Sequence, residues 1–108
     1  MKDGYKIKWT PHALSELRNT IEYLEQNFTQ REIIKLAQKL ESIIKLIARH
    51  PNLFPRSGKA NIHRAVILKY NSLYYRVKNE HIEILSFFSN RQNPAKRKLT
   101  LKTDTPQC

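Results

Sequence analysis

The chain begins with a strict alternation of apolar and polar residues, which predicts a β-strand over residues 5–9. The apolar residues of this run, which share one face of the predicted strand, are Tyr5, Ile7 and Trp9. Thr10 and Pro11 then end the strand and start a helix, because threonine caps a helix well and proline is tolerated at the first helical position.

Two longer stretches repeat apolar residues at three- and four-residue spacing, which indicates two amphipathic helices. The first stripe is formed by Leu14, Leu17, Ile21, Leu24 and Phe28. The second, which ends before a proline, is formed by Ile33, Leu36, Ala37, Leu40, Ile43, Ile44 and Ile47. Thr29 and Glu32 have the spacing of a capping box at the start of the second helix. The link is so short that the helices are predicted to pack as an antiparallel hairpin.

Residues 51–61 contain two prolines and a glycine without periodicity, which is typical of a loop. Three β-rich runs follow, over residues 63–69, 73–78 and 82–88, and polar breaks at Asn71-Ser72 and Asn79-Glu80 predict hairpin turns between them. The sequence therefore predicts an α+β fold of order β-α-α-β-β-β, with an antiparallel four-stranded sheet packed against the helical hairpin. Residues 1–99 are expected to form one domain, and residues 100–108 a flexible tail.

The predicted sheet has one face covered by the helices and one open face. In the middle run, Leu73, Tyr75 and Val77 alternate with Tyr74 and Arg76, and the apolar set is assigned to the core. In the last run, strict alternation places Ile82 and Ile84 in the core and leaves Glu83, Leu85 and Phe87 on the open face. Sheet curvature that buries Leu85 and Phe87 is the alternative. An open face with aromatic and cationic residues is suited to nucleic acid or to an apolar segment of a partner.

Charge is distributed unevenly along the chain, whose formal net charge is +11. Residues 51–108 hold eleven Lys and Arg against three acidic residues, which contributes +8 of that total. The strand half of the chain is therefore strongly basic, and a phosphate-rich or acidic partner is expected.

Several kinds of site are not supported by the composition. The only cysteine is Cys108, the last residue, so an internal disulfide is excluded and a cytoplasmic location is expected. The four histidines have no metal-site spacing, and two glycines argue against a nucleotide-binding loop. No uninterrupted run of apolar residues is long enough to cross a membrane. No metal, cofactor or membrane partner is expected.

Five features, in this order and at this spacing, resemble the RelE/ParE family of bacterial type II toxins, the plasmid-stabilisation type. They are Trp9-Thr10-Pro11-His12-Ala13, the Pro-rich loop after the second helix, Arg64, Asn71-Ser72-Leu73-Tyr74-Tyr75-Arg76-Val77, and Asn90-Arg91-Gln92-Asn93-Pro94. The resemblance covers residues 5 to about 99. It implies a growth-inhibiting basic toxin that forms a hetero-oligomer with an acidic antitoxin, which neutralises it.

The family divides by target. RelE-like members cut ribosome-bound mRNA with lysines on the first meander strand, an Arg that opens the next strand, an Arg after the last, and a tyrosine near the C-terminus. Of these, only the last Arg has a counterpart, Arg91, while Ser72 occupies the place of the earlier Arg. Residues 96–99, in the place of the tyrosine, contain none. The resemblance therefore favours a ParE-like toxin that poisons DNA gyrase.

Two alternatives remain, the first implied by the resemblance and the second by the charge of the chain. In the first, the chain is a RelE-like, metal-independent endoribonuclease, with Arg91 and Arg64 holding the phosphate and His63 acting as a general base. In the second, it is a non-toxic basic module that binds nucleic acid. An acidic partner encoded beside it would exclude the second, and intact mRNA after induction would exclude the first.

Candidate contact residues follow from the charge pattern, the face assignment and the family positions. Residues expected to contact the target or nucleic acid are Arg64, Lys69, Tyr74, Arg76, Arg91, Lys96, Arg97 and Lys98. Residues expected to bind the antitoxin are Leu85, Phe87 and Arg76, because the acidic partner gains on-rate from the charge and stability from the apolar contact.

Overall fold

The computed structural model describes residues 4–58 and 61–90. Two helices and four strands follow one another along the chain. They are β1 (Lys6–Trp9), α1 (Pro11–Asn27), α2 (Gln30–Arg49), β2 (His63–Ile67), β3 (Asn71–Lys78) and β4 (His81–Ser89). The four strands form one sheet, in which their spatial order is β1-β4-β3-β2.

The sheet is mixed, so the prediction of a purely antiparallel sheet is wrong. β2, β3 and β4 form an antiparallel meander, but β1 lies parallel to β4, with Ile7 opposite Ile82. Two hairpin turns separate β2 from β4, so these strands share a direction, and β1 runs the same way. The alternation of side chains that predicts a strand carries no information about its direction.

The helices pack on one face of the sheet and enclose the core with it. The buried apolar side chains are Ala13, Leu24, Leu36, Ile43, Ile47, Ala65, Ile67, Leu73, Tyr75, Ile82, Ile84 and Phe87. The predicted cap of α1 is confirmed, since the Thr10 hydroxyl oxygen accepts the Ala13 N–H at 3.1 Å. The predicted capping box of α2 is not formed, because the Thr29 side chain makes no cap hydrogen bond. The Glu32 N–H donates instead to the Thr29 carbonyl oxygen at 3.0 Å.

The first meander turn lies earlier than predicted. Leu68, Lys69 and Tyr70 form it, and the φ angles of Leu68 and Lys69 are 53° and 75°. Asn71 already belongs to β3, and its side-chain amide donates to the Ile67 carbonyl oxygen at 3.0 Å across the hairpin. The polar character of Asn71 therefore stabilises the hairpin from within the strand. The second turn is at Asn79, whose φ is 57°, as its sequence predicts.

The loop after α2 is fixed to the covered side of the sheet by buried polar groups. The Tyr75 hydroxyl donates to the Pro51 carbonyl oxygen at 2.6 Å, and the His63 Nδ1 lies 2.8 Å from the Phe54 carbonyl oxygen. The rings of His63 and Tyr75 stack with their centroids 5.1 Å apart. Burial raises the pKa of Tyr75 to about 12. These contacts hold the loop in place without regular secondary structure.

Glu16 protects the part of β4 that extends past β1. The register of the parallel pair ends at Trp9 and Ile84, so β4 has no strand on that side beyond this point. There the Glu16 carboxylate accepts hydrogen bonds from the Phe87 N–H at 2.8 Å and the Ser86 hydroxyl at 2.7 Å. A side chain of α1 thus satisfies a backbone donor that would otherwise need a fifth strand or water.

Candidate functional site

The face of the sheet that lies opposite the helices is the open face, and the register of the strands arranges its residues in four rows. The first two rows cross β1, β4 and β3, and they are Lys6, His81 and Lys78, and then Lys8, Glu83 and Arg76. The third and fourth rows cross β4, β3 and β2, and they are Ser86, Tyr74 and Arg64, and then Phe88, Ser72 and Val66. Ser86 lies at the edge of the sheet, where its hydroxyl bonds to Glu16 of α1. The character of the rows changes along the strands, because the first two rows are charged and the fourth is largely apolar. The open face is therefore suited to two different kinds of contact at its two ends.

Arg64, which the sequence predicts as a target contact, is exposed on the open face, and Ser72 holds it in place. The Arg64 Nε donates to the Ser72 hydroxyl oxygen at 3.1 Å, and Ser72 is only 5% exposed. This bond uses the Nε of the guanidinium group, and among residues 4–58 and 61–90 the structure shows no partner for the terminal nitrogens, which can pair with a phosphate or carboxylate. The sequence does not predict Ser72 as a site residue, because the residue type of a serine in a strand does not indicate which neighbouring side chain it will bond to.

Arg76 also lies on the open face, but it is paired. Its Nε donates to a Glu83 carboxylate oxygen at 2.8 Å across β3 and β4. This hydrogen bond is the main reason that the pKa of Glu83 lies below its ordinary value. Glu83 therefore remains ionised at neutral pH and offsets one cation of the charged rows.

The lowered pKa of Glu83 predicts a pH dependence of stability. A carboxyl group whose folded pKa is depressed contributes stability above its unfolded pKa and loses it as pH falls through the folded pKa. We expect Glu83→Gln to lower the urea midpoint slightly at pH 7, and the difference from the wild type to vanish well below about pH 4. Urea titrations of both proteins across this range measure it. A difference that is the same at both ends would contradict the role of the pair.

Leu85 and Phe87 do not lie side by side on the open face, and the prediction for Phe87 is wrong. Tyr75 is opposite Ile84 and Tyr74 is opposite Ser86, so Leu85 has no partner in β3 and forms a β-bulge. The extra residue reverses the alternation, which turns Phe87 into the core, where it is 1% exposed. Leu85 remains half-buried. A buried phenylalanine cannot contact an antitoxin, so this part of the predicted antitoxin site is removed.

His63 is buried on the covered face, which contradicts a role as a general base. It is 5% exposed, and its contacts are the Phe54 carbonyl and the Tyr75 ring. Arg64, the next residue, points to the other face, because successive side chains of a strand alternate. The two residues therefore cannot act together on one phosphate.

The remaining candidates divide into those that the structure describes and those outside it. Tyr74 is half-buried in the third row of the open face. Lys69 is exposed in the turn between β2 and β3, with its ammonium nitrogen 5.5 Å from the centre of the Tyr70 ring. Arg91, Lys96, Arg97 and Lys98 lie outside the described residues. Within residues 4–58 and 61–90, no cluster of His, Cys, Asp or Glu could hold a metal ion.

A second candidate surface, the hairpin groove, lies between α1 and α2. It has a volume of about 360 Å³ and is lined mainly by apolar side chains. The lining residues are Leu17, Ile21, Ile33, Leu36, Ala37, Leu40, Glu41 and Ile44. Leu14 and Ile34, elsewhere on the two helices, are 44% and 51% exposed. The helices thus present more apolar surface than the sheet covers. The sequence does not predict this groove, because the apolar stripes of the two helices are equally explained by packing in the core.

The sequence and the fold are similar to those of known toxins. A family model described as the ParE toxin of the type II toxin–antitoxin system parDE matches residues 7–94. The chain belongs to the ParE toxin family. The RelE/ParE resemblance of the sequence is thereby confirmed, and the matched residues include both helices and every strand except Lys6, the first residue of β1. No curated protein is similar enough to the chain to count as a match.

Solved structures share the ParE-family fold of this chain at low sequence identity. A chain from the chromosomal ParDE TA system of P. aeruginosa superposes with a TM-score of 0.68 at 20% identity, over 82% of this chain and 98% of that one. The YoeB dimer from Staphylococcus aureus gives 0.54 at 24% identity, over 76% and 92%. The YoeB–YefM complex from the same organism gives 0.53 at 22% identity, over 77% and 93%. None of the described helices of the ParE-family chain is long and apolar enough to span a membrane.

Proposed function

We propose that this chain is the toxin of a type II toxin–antitoxin pair and that it arrests growth by poisoning DNA gyrase. The observation that carries this proposal is the match of the ParE family model to residues 7–94. We infer that this member of the ParE toxin family acts by binding its target and not by cutting RNA.

The arrangement of the candidate catalytic residues supports a non-nuclease toxin. Cleavage of RNA without a metal needs a base and a cation at the same phosphate. Arg64 is exposed on the open face, whereas His63 is buried on the opposite side of the same strand. Ser72, in the place of an arginine of RelE-like enzymes, orients Arg64 and supplies no charge.

We further propose that the antitoxin neutralises the toxin by seating an amphipathic helix in the hairpin groove. The apolar side chains of α1 and α2 line the two walls of the groove, and a third helix can pack between them. Helix α2 carries five Lys and Arg against Glu32 and Glu41, a net charge of +3, which attracts an acidic partner. The groove thus replaces Phe87 as the apolar part of the proposed antitoxin contact.

The target is tested by inducible expression in a bacterial host, with growth, DNA damage and mRNA ends measured in parallel. We expect growth arrest with an SOS response and intact mRNA, and the purified chain to trap gyrase on cleaved plasmid DNA. New mRNA ends without DNA damage would overturn the gyrase proposal in favour of a nuclease. Unaffected growth would overturn the assignment as an active toxin.

Arg64→Ala is the informative variant in the same assay. Arg64 is exposed, so its removal leaves the core unchanged, and a weaker growth arrest at equal protein level indicates a target contact on the open face. Lys39→Ala, which removes an exposed cation from α2, is the matched control and is expected to stay toxic.

A further inference from the structure

The first two rows of the open face form a compact patch of positive charge, which we term the cationic rows. The register sets Lys6 and Lys78 on either side of His81, and it sets Lys8 and Arg76 on either side of Glu83. Four of the six positions are therefore Lys or Arg and one is Glu, which gives a net charge of +3 with neutral histidine. β1 contributes two of these cations, Lys6 and Lys8. Its sequence predicts that they share the polar side of a strand, but not which strand lies beside them.

Alternation directs the cationic rows away from the core. Ile82 and Ile84, on either side of Glu83, are both buried, and the four cations are exposed. Neighbouring strands lie about 4.8 Å apart, and residues two apart in a strand lie about 6.6 Å apart. Three strands thus hold the four cations within an area of roughly 10 by 7 Å on a rigid support.

We propose that the cationic rows bind the phosphate backbone of duplex DNA. Binding to a phosphate backbone is driven mainly by charge and by the release of counterions, and it needs no apolar contact. Within these rows the six positions hold no apolar side chain, whereas the core of a protein–protein interface is depleted of charge and rich in apolar and aromatic groups. The cationic rows therefore match a phosphate backbone and not the core of a protein–protein interface.

None of these six positions holds a Phe, Tyr or Trp side chain, and His81 supplies their one ring, which favours duplex over single-stranded nucleic acid. Proteins that hold single strands stack bases on aromatic rings, in addition to neutralising phosphates. Tyr74 is in the third row, beside the cationic rows, but it is half-buried. The choice of DNA over RNA rests on the proposed function, because gyrase acts on duplex DNA.

DNA binding by the purified chain requires no gyrase, so its test is independent of the target. The experiment measures fluorescence anisotropy of a short labelled duplex of random sequence, titrated with the full chain between about 50 and 200 mM salt. Each phosphate contact contributes about 0.9 to the slope of log K against log salt. We expect Lys6→Gln/Lys78→Gln to reduce this slope by about 1.8 and to weaken binding roughly 10- to 30-fold at about 150 mM salt.

Lys35→Gln/Lys39→Gln is the matched control, because it removes the same charge from exposed positions of α2 on the other side of the sheet. We expect it to change the slope little, and thermal melts of both variants verify that they are folded. Equal losses in both variants would overturn the proposal, since binding would then follow net charge alone.

Two further arms identify the class of ligand. Tighter binding to single-stranded RNA than to the duplex, lost in the Lys6→Gln/Lys78→Gln variant, would overturn the assignment to DNA. Unchanged DNA binding in that variant, together with weaker binding to a polyglutamate peptide, would overturn it in favour of an acidic protein. If the Lys6→Gln/Lys78→Gln variant loses duplex binding but arrests growth as the wild type does, the cationic rows bind DNA without acting in the poisoning of gyrase. The proposed function would then stand.

Discussion

Phe87→Ala is expected to lower the free energy of unfolding by about 3–5 kcal/mol, the typical cost of truncating a fully buried phenylalanine. The bulge at Leu85 turns the Phe87 ring into the core, where it is 1% exposed. The loss combines the transfer of the ring out of water with the cavity that remains between sheet and helices. Urea denaturation of both proteins, analysed by linear extrapolation, measures the difference.

Leu85→Ala is the control that tests the register, because Leu85 is half-buried and has no partner in β3. We expect a loss of only about 1 kcal/mol, in proportion to the smaller area that it removes from water. Strict alternation without a bulge would place both side chains on the open face and make both substitutions mild. Two small and similar losses would therefore contradict the bulge and the register of β3 and β4 that follows from it.

The same two residues show where the sequence stops being informative about the fold. Alternation predicts β4 and both of its buried isoleucines, and it fails only after Ile84. A β-bulge of ordinary residues needs no glycine or proline, so Leu85 and Ser86 give no sign of it. The turn at Leu68 and Lys69 is similar, because two positive φ angles are adopted there without the Asn-Gly signal that usually predicts them. Neither feature has a signal in the local sequence.

The sequence also identifies only part of the candidate site. Alternation identifies Tyr74 and Arg76 as residues of the open face, and these positions are confirmed. Charge and family position predict Arg64 as a target contact, and they do not indicate the face on which it lies. His63 was misassigned because a histidine in a strand has the same pattern whether it faces solvent or a buried carbonyl group. Sequence pattern also does not reveal that Lys6 and Lys8 join Arg76 and Lys78, since this depends on β1 lying beside β4, which is distant from it in the sequence.

Ala37→Glu is expected to weaken antitoxin binding by about 2–4 kcal/mol, or roughly 30- to 1,000-fold, while leaving the fold intact. Ala37 lines the hairpin groove and is exposed, so the longer side chain loses no core contact and both residues favour helix. In the complex, the new carboxylate would occupy the space of the partner helix, lose its water and repel an acidic partner.

Gln38→Glu separates the effect of the groove from that of charge. Gln38 is the next residue of α2, it is exposed, and it is not among the residues that line the groove, yet the substitution adds the same negative charge. Calorimetric titration of both variants with the proposed antitoxin measures the two affinities. If the two lose affinity equally, the antitoxin responds to the charge of α2 and not to the groove. If Ala37→Glu alone loses affinity and remains toxic when expressed without the antitoxin, the surface that is neutralised is distinct from the one that poisons the target.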